Sequence, residues 1–278
     1  MINDAHAHIF PAVTGLGRDD HHNAHTAAML IAAMDDVGVE RTMLLQGPYW
    51  GECNDFAAEA VRAYPGRLAA QAYLDPWLNN WPARLDEVLA TPQFRGIKIE
   101  FSEATGLAGV HPGARLDEPS LNALWRQLQS AHRILTLDLG AVGATSYQTA
   151  AVDRIAREHP ELTIVICHLA QPDPQFVAAW QEQIDLGLLP NVYFDTSSVP
   201  QYFHDEVWPR PSCGRFIRGA INTVGPEKIL WGSDIPGTLS HHTYAQLLEL
   251  GRLHTNFLPP VQQRLILADN ARRIYFDS

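Results

Sequence analysis

The chain has 278 residues, enough for two small domains or one large barrel. Its 46% hydrophobic content can build a sizeable core, which excludes wholesale disorder. A formal net charge of −11 argues against nucleic acid or an anionic membrane as partner and leaves a small-molecule substrate as the expectation.

Three cysteines, Cys53, Cys167 and Cys213, are odd in number, widely spaced and without a Cys-x-x-Cys pair. That pattern reads as reduced thiols in a cytoplasmic protein. The opening Met-Ile-Asn-Asp-Ala-His carries neither the basic nor the apolar region of a signal peptide. No apolar run approaches the ~20 residues that span a bilayer.

Along the chain, short apolar or β-branched runs alternate with amphipathic segments. The runs are 1–9, 41–46, 68–74, 96–101, 134–139, 162–168, 191–196 and 229–234. Their ends recur roughly every thirty residues, the length that a strand and a crossover helix require. Between them, Phe56, Ala57, Ala60, Val61 and Tyr64 share one helical face. So do Val152, Ile155, Ala156 and His159, and later Tyr244, Leu247, Leu248 and Gly251. Gly38, Pro65-Gly66 and Pro160 mark helix stops. The strands are apolar almost throughout, as parallel strands covered on both faces should be.

This rhythm predicts an α/β fold, a (β/α)₈ TIM barrel in one domain over residues 1–278. A doubly wound open sheet is the alternative, weakened because no Gly-x-Gly-x-x-Gly follows the first strand. The stretches 102–118 and 197–212 both follow strands and are expected over the mouth of the barrel.

The first run ends in Asp4-Ala-His6-Ala-His8. Residues two apart on a strand share a face, so His6 and His8 should both aim inward, a pair suited to a divalent metal. The sixth run ends in Cys167-His168 and the eighth in Ser233-Asp234. Ionisable groups at the ends of apolar strands are costly unless paired or ligated, and in a barrel such ends converge. Ordinary polar packing is the alternative for any one of them. Lys98 and Glu100 share a face of the fourth strand and are candidates to contact substrate, or simply to neutralise one another. Trp50, after the second strand, and Tyr73, at the end of the third, are candidate pocket walls, as are Tyr49, Asp75, Ser197, Ser198 and Tyr202. His21, His22, His25, His241 and His242 read as solvated. No Gly-x-Ser-x-Gly and no Gly-x-x-x-x-Gly-Lys is present.

Taken with Arg95-Gly96-Ile97-Lys98, Trp231-Gly232-Ser233-Asp234-Ile235-Pro236 and the terminal Asp269-Asn270-Ala271-Arg272-Arg273-Ile274-Tyr275, these motifs resemble the amidohydrolase superfamily. Within it they are similar to the amidohydrolase-related family of decarboxylases and lactonases. The resemblance implies His6 and His8 as metal ligands. It implies Asp234 as ligand, proton acceptor or both, and His168 as ligand or proton donor. It implies one divalent ion, Zn²⁺ foremost with Mn²⁺ as the alternative, or operation without metal, and a homodimer. Decarboxylase-like members carry a ligating His at the end of the fifth strand, where this chain has Asp138. That carboxylate could replace the ligand, bind substrate, or pair with Lys98 or Arg133. The departure tilts the expectation toward a hydrolase of lactone, ester or amide bonds. A carboxy-lyase or hydratase is the second reading and a non-catalytic binding barrel the third.

Overall fold

The computed structural model describes residues 1–12, 24–48 and 52–277. Eight parallel strands follow one another around the sheet in chain order. They are β1 (Asn3–Ala7), β2 (Arg41–Leu45), β3 (Leu68–Tyr73), β4 (Phe94–Glu100), β5 (Ile134–Asp138), β6 (Ile164–Ile166), β7 (Val192–Asp195) and β8 (Ile229–Leu230). The ring closes just beyond β8. Ala5 N–H donates to the Trp231 carbonyl at 3.0 Å, and His8 N–H donates to that of Ile235 at 2.8 Å. The expected (β/α)₈ barrel is the fold observed.

A helix follows each strand: Ala27–Val37, Asn54–Ala63, Trp81–Ala90, Asn122–Ser130, Thr149–Glu158, Val177–Ile184, Pro211–Val224 and Tyr244–Thr255. Each lays an apolar stripe on the outside of the sheet, as Val152, Ile155 and Ala156 do from the fifth. Two layers of core result. The larger lies between strands and helices. The smaller fills the barrel with Ala5, Met43, Leu45, Ile134, Val165 and Leu230, and is stoppered by Ile274 and Tyr275 of the C-terminal segment. The motif near residue 270 is therefore structural. Asn270 ties that segment to β8, donating to the carbonyls of Pro226 and Ile229 at 2.8 Å each.

Inside the barrel, β4 and β5 approach closely at Gly96, which pairs with Ile134. A Cβ at Gly96 would lie 1.9 Å from the Ile134 carbonyl oxygen, a contact only a backbone shift could relieve. Gly96→Ala is therefore expected to lower stability by about 1–3 kcal/mol or more, the range for overpacking a core. A denaturant midpoint equal to wild type would contradict the close approach. Among the described residues, no helix is long and apolar enough to cross a membrane.

Candidate functional site

The chemistry gathers at the C-terminal ends of the strands. On β1, regular alternation would place Asp4, His6 and His8 on one face. The pairing with β2 shifts between Asp4 and Ala7, and this separates them. Asp4 turns outward, where it accepts from Ser233 N–H (2.9 Å), Ser233 Oγ (2.5 Å) and Tyr244 Oη (2.7 Å), locking β1 to the chain after β8. His6 and His8 turn inward. Gly232 leaves the room this needs, since a Cβ there would stand 3.0 Å from that of His6 and 3.1 Å from that of Ser197.

His6 Nε2 faces His8 Nε2 at 3.2 Å, and Asp234 Oδ1 lies 2.8 Å from His8 Nε2 and 3.5 Å from His6 Nε2. The far nitrogens are already committed. His8 Nδ1–H donates to the Leu45 carbonyl at 2.6 Å, and His6 Nδ1–H donates to Asp195 Oδ2 at 3.0 Å. Each neutral ring therefore turns a bare Nε2 lone pair toward the other and toward a carboxylate. Three electron pairs aimed at one point need a positive charge among them. Two imidazoles with their second nitrogens held by a carbonyl and a carboxylate are the usual dress of metal-ligating histidines. His6, His8 and Asp234 lie close enough together to hold one ion. Burial pushes His6 down to about 4, against the pull of Asp195 and Asp234, so it stays neutral and ready to ligate. Burial would raise Asp234, but His6, His8 and His168 outweigh it and hold the carboxyl well below its ordinary range.

A second pair sits beside the first. His168 stacks on His6 with ring centroids 4.9 Å apart. Its Nε2 is 3.0 Å from Asp138 Oδ2, and its Nδ1 faces the Ser197 hydroxyl at 2.9 Å and carbonyl at 3.1 Å. Burial opposes a charge on His168, yet Asp138 chiefly, with Asp234 and Asp195, raises it to about 10. The imidazolium so formed spends both N–H groups on protein acceptors. Asp138 is correspondingly held far down despite its burial, by His168 and Lys98. Its other oxygen accepts from Gly140 N–H at 3.1 Å and Gln171 at 3.3 Å. Asp138 pairs with His168 rather than with Lys98 or Arg133, and it also lines the cavity above. It stands outside the His6–His8–Asp234 set.

Lys98 and Glu100 are buried and paired with one another, the neutralising role open to them from sequence. They are 2% and 1% exposed, with Lys98 Nζ 3.3 Å from Glu100 Oε2. Burial, and Asp138 alongside, raise Glu100 to about 7 against the pull of Lys98 and Ser102. Neither lines the cavity above, a space of about 560 Å³ walled in part by Asp138, His168, Gln171, Ser198, Tyr202 and Asp234. Tyr73 is half-buried at the end of β3 and is likewise absent from that wall. Ser198 donates to Asp234 Oδ2. The stretches after β4 and β7 do reach the mouth, as expected from sequence. Asp75 pairs with His111 at 2.9 Å instead of facing the cavity. Trp50, Tyr49, His21 and His22 fall outside the described residues. His25 and His242, expected to be solvated, are 7% and 4% exposed, and His25 Nδ1–H donates to the His8 carbonyl at 2.8 Å.

Sequence reasoning passed over Asp195. It ends an apolar strand just as Asp138 does, and the same rule would have found it. It accepts from His6 Nδ1–H, from His168 N–H at 3.0 Å, from Ser197 N–H at 3.0 Å and from the Ser197 hydroxyl. Burial would raise its carboxyl, but His6, His168 and Ser197 hold it at about 2.

The whole chain matches solved barrels. An amidohydrolase from Burkholderia multivorans with bound zinc superposes with a TM-score of 0.79 at 16% identity, over 99% of this chain and 98% of that one. A probable 2-pyrone-4,6-dicarboxylic acid hydrolase from Acinetobacter baumannii, with citric acid bound, gives 0.75 at 20% identity and 98% of each chain. The 5-carboxyvanillate decarboxylase of Sphingomonas paucimobilis gives 0.68 at 16% identity, over 99% of this chain and 98% of that one. At these identities the likeness is one of fold. No curated protein sequence matches. The model of the amidohydrolase family matches residues 4–276, nearly the full length, and the chain belongs to that family.

Proposed function

We infer that this enzyme hydrolyses a lactone, or a related ester or amide bond, in a small polar molecule, with a divalent cation, Zn²⁺ first, held by His6, His8 and Asp234. The observation that carries the reading is the convergence of the two bare imidazole nitrogens and the Asp234 carboxylate on one point. The zinc bound to the Burkholderia multivorans amidohydrolase is in keeping with it. Three protein donors, with Asp138 drawn off to His168, make an open set of the catalytic kind, in which further positions are left for water and substrate. When bound, the cation supplies Lewis acidity and makes a water acidic enough to attack near neutral pH.

The side chains do the rest. Asp234, ionised and partly exposed to the cavity, accepts the proton of the attacking water and returns it to the leaving oxygen. Ser198 orients that carboxylate through its hydrogen bond to Oδ2. His168 contributes positive charge more than a proton as the carbonyl oxygen becomes negative, since both of its N–H groups are engaged. A carboxy-lyase on the same barrel is the competing reading, and the likeness to the 5-carboxyvanillate decarboxylase keeps it in view.

The two readings part on product. A panel of five- and six-membered lactones followed by acid release should show turnover. A parallel panel of aromatic carboxylic acids should release no CO₂. CO₂ release without lactone opening would overturn the hydrolase reading.

A further inference from the structure

His168 opens a run of four consecutive non-glycine residues in the left-handed region: His168 (φ 59°), Leu169 (51°), Ala170 (57°) and Gln171 (48°). Such a run is uncommon for L-residues, so the surroundings must hold the turn. They do so group by group. Trp180 Nε1–H donates to the Leu169 carbonyl at 2.8 Å, Tyr147 Oη to that of Ala170 at 3.1 Å, and Gln171 N–H to that of His168 at 2.9 Å. At the head of the turn, His168 N–H donates to Asp195 Oδ1.

The other oxygen of that carboxylate holds His6 Nδ1–H. The Ser197 hydroxyl donates to Asp195 and is placed to accept from His168 Nδ1–H. His6 Nδ1–H, His168 N–H, Ser197 N–H and the Ser197 hydroxyl all point toward Asp195, which is fully buried. One carboxylate thus holds Nδ1–H of His6 directly, reaches the Nδ1 side of His168 through Ser197, and pins the strained turn that carries His168.

We propose that Asp195 is a positioning residue that couples the cation site to the His168 turn. Drawing the Nδ1 proton of His6 toward Oδ2 turns its Nε2 lone pair to the cation. Holding His168 N–H on Oδ1 keeps the His168 ring stacked on His6. A cation at His6 fixes that ring and with it the position of the carboxylate on which the turn is held, and the formed turn favours cation binding by the same factor, as linkage requires. The inference rests on the metal reading above.

Asp195→Asn tests it, because asparagine keeps the shape and loses the charge. Zn²⁺ affinity, measured by chelator competition without substrate, should fall about 10–100-fold, as for other partners of metal-bound histidines. In ¹⁵N-histidine NMR spectra, wild-type His6 should be Nδ1–H and His168 protonated on both nitrogens, and the His6 tautomer should be lost in the variant. Amide exchange at residues 168–171 should slow when wild type takes up Zn²⁺ and should not respond in Asp195→Asn. Wild-type affinity in the variant, or exchange at 168–171 indifferent to Zn²⁺ in wild type, would overturn the coupling. Should the variant fail to fold, the wild-type exchange and tautomer measurements decide alone. Wild type that takes up no Zn²⁺ would sink the metal reading, and an Nε2–H tautomer at His6 would sink the role of Asp195.

Discussion

Asp234→Asn is expected to lower kcat/KM on the best lactone by about three orders of magnitude while leaving the fold intact. General acid–base groups alone contribute about 10²–10⁴-fold. Asp234 also supplies a carboxylate oxygen that faces both bare imidazole nitrogens, at 2.8 and 3.5 Å. Asparagine preserves the volume and can still meet Ser198 with its carbonyl oxygen. It cannot carry a proton through the reaction, and it takes away the negative charge that helps hold a cation. The loss should therefore appear in turnover and in metal affinity together, with circular dichroism and melting temperature close to wild type. A variant keeping more than a tenth of wild-type activity would remove Asp234 from the chemistry.

Lys98→Met is expected to damage stability more than any other single change at the site, by about 3–5 kcal/mol, the cost of leaving a buried charge unpaired. Lys98 is buried under the cavity floor. Burial favours losing its proton, but Glu100 first, with Asp138 and Asp234, keeps it charged. Methionine fills the space and leaves Glu100 and Asp138 without that cation. The effect should depend on pH. Glu100 titrates at about 7 in the fold, above its ordinary 4.5, so between these values the folded state binds more protons than the unfolded chain. Stability from this group is present at low pH and lost as pH rises through about 7. Without Lys98 the folded Glu100 holds its proton to still higher pH, so the loss continues beyond 7. The deficit of Lys98→Met in denaturant midpoint should thus widen from pH 6 to pH 8. A deficit that is small and flat with pH would show that Lys98 is not the counter-ion of this buried pair.

How far the sequence carries can be followed residue by residue. The barrel was legible because each apolar run is a strand buried on both faces and each intervening segment has a helical stripe, as at Val152, Ile155 and Ala156. Strand lengths were less so. β6 stops at Ile166 and β8 at Leu230, well before the apolar runs do. What ends β6 is a left-handed turn at His168, and Asp234 beyond β8 sits at φ 60°. Tertiary hydrogen bonds impose such conformations on residues that do not themselves favour them. The meeting of His6, His8 and Asp234 was legible from strand alternation and the shared barrel mouth. The fate of Asp138 was not, because it depends on which group stands across from it. Chain order does not reveal that His168 reaches it before a ligand position does. That Lys98 and Glu100 share a face of β4 was legible from strand alternation. Their depth below the cavity depends on the stagger of β4 against its neighbours, which no local pattern encodes.

The most direct test of the central claim is elemental analysis of gently purified protein, with lactone turnover measured before and after chelation. The account predicts about one zinc or manganese per chain and activity that falls on chelation and returns with the ion. Protein free of metal that opens lactones equally well with and without chelator would contradict it.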